Sequence, residues 1–273
     1  MVAKTRKKID QVNRGGDGFE SMVELDPVLE LKKAKDIISN VLPNDIKLIA
    51  KNDSQKSLIQ SIKNNHITIC AGHAGSGKTF VSLAYSLSLL RKTNNNYNKI
   101  YLVKSVTALR GEDVGFLPGD LDEKLTPTMF SYYVNIEKLI QKKTFESLMQ
   151  NEIIKPLPLT YIRGASLDNC IIITDESQNI SIDNIRTMMT RLGENSKIII
   201  LGDTNQIDLK FKEDSSLPVL IDLFKDCENI GSIVMDENDE NVRNPIIKLI
   251  ESKFKSYFEQ QKENPYKKVV DGK

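Results

Sequence analysis

Residues 72 to 79 read Gly72-His73-Ala74-Gly75-Ser76-Gly77-Lys78-Thr79, between the apolar, β-branched run 66–71 and a helix-length apolar segment that opens at Phe80. The octet matches GxxxxGK[ST], the loop that passes from a strand to a helix around a phosphate group. Each residue type has a task. Glycines let backbone N–H groups approach the phosphates, Lys78 reaches the β/γ oxygens, and the Thr79 hydroxyl ligates Mg²⁺. A side chain at Gly77 would obstruct the cradle. The phosphates would meet a helix N-terminus, so residues Gly72 through Phe80 form the expected nucleotide contact.

A chain of 273 residues with 40% hydrophobic content can bury one large α/β core. Lysine and arginine number 38 against 37 acidic residues, a net charge of +1, so no global field points to a nucleic-acid partner and any basic surface must be local. Residues 1–24 read as a basic arm: Lys4, Arg6, Lys7, Lys8 and Arg14 face a single early acid, Asp10, and Gly15-Gly16-Asp17-Gly18 follows. Such an arm could touch a polyanion or simply stay solvated. Residues 25–262 read as the core, and 263–273 as a polar tail.

Cys70, Cys170 and Cys227 are widely separated and form no CxxC pair, so reduced, mostly buried thiols are expected. With His66 and His73 the only histidines, a zinc site or Ser-His-Asp triad lacks material. No signal-type apolar region and no run of roughly eighteen apolar residues occurs. A soluble, cytoplasmic protein is expected.

Helices are expected over 27–41, 53–64 with Asp53 as N-cap, 78–92, 181–192, 216–227 and 243–260. Strands are expected at Ile100-Tyr101-Leu102-Val103, Cys170-Ile171-Ile172-Ile173-Thr174, Lys197-Ile198-Ile199-Ile200-Leu201 and, more weakly patterned, Ile233-Val234-Met235. Strands alternating with helices predict an α/β fold with a doubly wound, mainly parallel sheet and flanking helices. Polar residues follow the strands: Asp175-Glu176 after one, Gly202-Asp203-Thr204-Asn205-Gln206 after the next. Ligands of open α/β sheets sit beyond the carboxyl ends of strands, where these runs would converge.

Asp175 suits the carboxylate that supports Mg²⁺, and Glu176 beside it can polarise a water for attack on the γ-phosphate. The pair favours hydrolysis over transfer to a second substrate. Gln206 could sense the γ-phosphate, or Gly202-Asp203-Thr204-Asn205 could be only a turn. Arg110, Arg163, Arg186, Arg191 and Arg243 are available to neutralise transition-state charge, and spacing alone does not choose among them.

Residues 50–255 resemble the PhoH family of RecA-like P-loop ATPases, related to superfamily 1 helicase cores, and especially its short phage-encoded members. The resemblance rests on the 72–79 loop, on Gly111-Glu112-Asp113-Val114-Gly115-Phe116-Leu117-Pro118-Gly119-Asp120, and on Arg163-Gly164 leading to Asp175-Glu176-Ser177-Gln178-Asn179. Thr190-Arg191-Leu192-Gly193, Ser196-Lys197 and Gly202-Asp203-Thr204-Asn205-Gln206-Ile207-Asp208 complete it. It implies Mg²⁺-dependent ATP hydrolysis, with Lys78, Glu176, Gln206 and Arg243 in catalysis and Thr79 and Asp175 on the metal. It also implies that Gln55 reads the adenine edge and that Arg243, with Arg191 second, contacts the γ-phosphate from its own subunit or across an interface. The implied partners are single-stranded RNA or DNA, approached through the 107–125 loop with Lys104, Arg110, Lys124 and Phe116, and further copies of the chain, up to a hexameric ring.

Ser105-Val106 replaces the family's Arg-Pro, which puts that arginine's role in doubt, and Ser177 replaces an alanine. The roughly fifty residues before the core are too few for an average domain, so no preceding nuclease-type domain is expected. Two other activities stay open: a nucleotide-gated regulator or assembly protein with slow turnover, and a small-molecule phosphotransferase.

Overall fold

Along Cys170–Asp175 every residue is buried. Cys170 and Ile172 enter one apolar cluster while Ile171 and Ile173 enter another, because successive side chains on a strand point to opposite faces. Such a strand requires a helical layer on each side. The computed structural model, which describes residues 27–105, 121–164, 166–236 and 246–263, supplies both layers.

The strands are β1 (Ile67–Ala71), β2 (Lys99–Lys104), β3 (Ile154–Pro156), β4 (Cys170–Asp175), β5 (Lys197–Gly202) and β6 (Ile230–Val234). They form a six-stranded sheet ordered β3-β2-β4-β5-β1-β6, with every pairing parallel. On one face lie α1 (Pro27–Val41), α2 (Asp53–Asn64), α3 (Lys78–Arg91), α4 (Leu121–Glu137) and α5 (Lys142–Gln150), contributing Ile38, Leu58, Leu87, Tyr132 and Phe145 among others. The other face is covered by α6 (Ile182–Met189) and α7 (Ser216–Leu223), through Ile185, Met188, Leu217 and Leu220. The last helix is α8 (Ile246–Glu263). No helix among the described residues is long and apolar enough to cross a membrane.

Two differences from the sequence reading have clear causes. Asn52, not Asp53, caps α2: its backbone is extended, and its side chain accepts the Gln55 N–H at 2.9 Å. Asp53 is the first helical residue, where a carboxylate meets the positive end of the helix and Lys56 at 2.7 Å. The segment from 121 to 156 carries α4, α5 and β3, none of which the apolar pattern announced. Proline can end β3 because β3 is an edge strand. Tyr132 of α4 is fully buried, and its hydroxyl lies 2.8 Å from Val103 O and 3.1 Å from Ile173 O, tying the helix to the ends of β2 and β4.

Cys70 and Cys170 are buried, and desolvation pushes their thiols up to about 12 and about 11; Cys227 is exposed. The expected arm, most of the 107–125 loop, Arg110, Arg243 and the polar end beyond Glu263 lie outside the described residues.

The insertion of β5 between β1 and β4 decides where chemistry can occur. Ala71 is in register with Gly202, and the Gly72 N–H donates to Gly202 O at 3.1 Å. The carboxyl ends of β1, β5 and β4 therefore lie side by side, and the polar residues after each arrive together.

Candidate nucleotide site

The loop leaves β1 at Ala71 and enters α3 at Lys78. Gly75 and Gly77 have φ of 87° and 86°, a left-handed conformation that costs other residues about 1–2 kcal/mol. Gly77 is the N-cap of α3 and offers no side-chain cap, so the first N–H groups of the helix stay directed at the loop's mouth, where an anion would satisfy them. Lys78 Nζ donates to Gly72 O at 2.7 Å and His73 O at 3.1 Å, across the loop itself. Ser76 Oγ and His73 Nδ1 are buried and have no hydrogen-bond partner among the described residues.

Two neighbours hold the loop from outside. The Ala74 N–H donates to Asp203 Oδ2 at 3.1 Å, while Asp203 Oδ1 accepts the Asn205 N–H at 2.9 Å. From α2, Gln55 Nε2 donates to Ser76 O at 2.9 Å, and Gln55 Oε1 accepts the Lys51 N–H at 2.9 Å. Gln55 is only 2% exposed. It stands in the cleft wall, as the family resemblance places it, but its amide is bonded to backbone on both ends. Adenine would have to use its remaining proton and lone pair.

At the other side of the loop, the Thr79 hydroxyl donates to Asp175 Oδ2 at 2.8 Å, and Asp175 Oδ1 accepts the Glu176 N–H at 3.0 Å. Adjacent hydroxyl and carboxylate oxygens are hard donors of the kind Mg²⁺ takes, usually beside waters and substrate phosphates. These are the two side chains that would hold it. Among the described residues there is no cluster of three His, Cys, Asp or Glu groups that would build a self-sufficient metal cage. Glu176 has a φ of 55°, an uncommon conformation for this residue type and one that clusters at functional sites.

A cleft of about 500 Å³ is lined by the loop, Asp175, Glu176, Gln206 and Gln55, and also by Ser131 and Asn135 of α4 and by Lys138 just beyond its end. The last three recur at helical spacing, opposite buried Met129, Tyr132 and Ile136. Sequence reasoning missed them because it missed α4. It also gave no role to Gln178 or Asp203, whose contacts cross from β4 to β5. Arg163 and Arg186 are exposed, Arg191 is half-buried, and none of the three lines the cleft.

Close packing at Gly202 keeps the two strand ends together. A Cβ there would lie 2.4 Å from Gln178 Oε1 and 2.7 Å from Leu217 Cδ2. Gly202→Ala is expected to destabilise the fold by about 1–3 kcal/mol, measured by denaturant unfolding. An unchanged midpoint would mean that Gln178 can withdraw without loss.

A glycine loop capping α3, with a hydroxyl-carboxylate pair beside it and a strand inserted between the loop strand and the acidic strand, defines the RecA-like P-loop NTPase fold. Residues 47–255 match the family model described as PhoH-like protein, and the chain belongs to the PhoH family. It is 34% identical to a PhoH-like protein of Bacillus subtilis over 86% of this chain and 69% of that protein. A PhoH-like protein of Synechocystis is also 34% identical, over 74% of this chain and 60% of its own length. Among solved structures, the HK97 bacteriophage large terminase superposes with a TM-score of 0.46 and 14% identity, over 77% of this chain and 46% of that one.

Proposed function

We propose that this chain is a Mg²⁺-dependent ATP hydrolase whose cycle is coupled to binding or remodelling of single-stranded RNA or DNA. The observation that carries the hydrolytic part is the convergence of Thr79, Asp175, Glu176 and Gln206 around the phosphate loop in one cleft. Loop amides and the first N–H groups of α3 bind the triphosphate. Lys78 exchanges Gly72 O and His73 O for phosphate oxygens. Mg²⁺, when held by Thr79 and Asp175, supplies positive charge to the β/γ oxygens. Glu176 orients the attacking water and draws its proton, and Gln206 responds to the γ-phosphate. We assign Arg243, with Arg191 second, to the developing negative charge, either in the same subunit or across the interface of a homo-oligomer such as a hexameric ring.

Membership of the PhoH family supports the nucleic-acid part of this reading. Steady-state ATP hydrolysis with Mg²⁺, alone and with single-stranded RNA or DNA, tests both parts, with the Glu176→Gln protein as the contamination control. Hydrolysis stimulated by either polymer is the expected result. Hydrolysis without stimulation removes the polymer, and tight ATP binding without turnover replaces the hydrolase with a nucleotide-gated regulator.

A further inference from the structure

Gln178 is fully buried, and its amide is used in three directions. One Nε2 proton goes to Glu176 Oε2 at 2.7 Å and the other to the backbone oxygen of Gln206 at 3.1 Å, while Oε1 accepts the Asp203 N–H at 3.0 Å. Turning the amide over would set its oxygen against the Glu176 carboxylate and its NH₂ against the Asp203 N–H, so one orientation alone satisfies all three neighbours. The backbone beneath is pinned too: the Ser215 hydroxyl donates to Gln178 O at 2.8 Å, and the Ser216 hydroxyl to Ser177 O at 2.9 Å. Asp203 carries the chain of bonds onward to the phosphate loop through the Ala74 N–H.

We propose that Gln178 is the positioning residue of the hydrolytic site: it aims the Glu176 carboxylate and makes that aim depend on where the 203–206 segment lies. The proposal rests on the reading of Glu176 as the group that activates water. A glutamate has several rotatable bonds, and misplacing a reacting group by about 1 Å can cost on the order of 10²-fold in rate. With Oε2 held by Gln178, Oε1 is the oxygen left for a water. The same NH₂ binds Gln206 O, so a shift of Gln206 on gain or loss of the γ-phosphate pulls directly on the group that holds Glu176. An amide suits this position because it donates to a carboxylate and a carbonyl while accepting from an N–H. A carboxylate of the same shape could do only the last.

Two substitutions separate this role from packing. Gln178→Glu keeps the shape and the acceptor for Asp203 N–H but sets an acceptor against Glu176. Gln178→Met removes the polar contacts and is followed by thermal unfolding. Affinity is read by titrating a fluorescent ATP analogue with Mg²⁺, and hydrolysis by single turnover with enzyme in excess. Both variants are expected to bind nucleotide within about 3-fold of wild type and to hydrolyse about 10–100-fold more slowly. Placed on Glu176→Gln, either should cost less than about 2-fold more, because the group it positions is already disabled.

Wild-type turnover in Gln178→Glu overturns the proposal, as does a full additional loss in the double variant. If Gln178→Met does not fold, Gln178→Glu decides alone. If Glu176→Gln itself hydrolyses at the wild-type rate, the hydrolytic reading fails and takes this proposal with it, a result distinct from failure at Gln178 only.

Discussion

The Glu176→Gln protein is expected to bind Mg²⁺ and ATP normally and to hydrolyse the nucleotide about 10²–10⁴-fold more slowly than wild type, the usual contribution of a positioned proton acceptor. The substitution preserves shape, and the new amide oxygen can still accept the Gln178 N–H that reaches Glu176 Oε2 at 2.7 Å. Only the capacity to take a proton from water is lost. Thr79 and Asp175, 2.8 Å apart on the metal side, are untouched, so affinity should hold. Affinity by titration and turnover by phosphate release must therefore separate. Wild-type turnover would remove Glu176 from the chemistry, and loss of affinity would make it part of the binding surface.

Lys78→Ala acts at the earlier step. The residue is 8% exposed, and its ammonium sits on two loop carbonyls, close to where the phosphates would enter. Hydrogen bonds that involve a charged group are worth about 1.5–3 kcal/mol each, so losing two to phosphate should weaken ATP by about 10²-fold or more. The substitution also leaves the buried Gly72 carbonyl without its Lys78 donor, a cost to the fold of about 1–3 kcal/mol that thermal unfolding would read separately. Equilibrium binding in Mg²⁺ checks the weakened binding, and an affinity within about 3-fold of wild type would place the nucleotide elsewhere.

The sheet was legible because its central strands are short, β-branched and buried on both faces. Cys170-Ile171-Ile172-Ile173-Thr174 has no polar alternation for a helix to use. Helix α4 was not, because exposed Phe130 and half-buried Tyr133 and Val134 interrupt the stripe of Met129, Tyr132 and Ile136. An apolar count sees a run where the structure has a face. The α2 cap was misplaced by one residue because Asn52 and Asp53 are both good caps, and only the backbone angles choose between them.

In the site, the loop and the Asp175-Glu176 pair announced themselves by type and position. Gln178 and Asp203 did not: their significance lies in distances between β4 and β5, which no local pattern carries. Gln55 differs from both: it lines the cleft, and its side-chain amide is bonded to the backbone of Ser76 and Lys51.

Strand β1 has β5 and β6 as its two neighbours, and Ile67 pairs with Ile198 and with Ile230. A ribosome that has released the chain through α6 has made every residue of the glycine loop and neither strand that holds β1 in place. Asp203, which steadies Ala74, also comes late. The residues that line the cleft thus run from Ile49 to Gln206, and a nascent chain carries the glycine loop well before the strands that flank β1. A chain broken between α6 and β5 keeps the motif but lacks the strand that delivers Asp203 to Ala74, so the octet by itself is not the site.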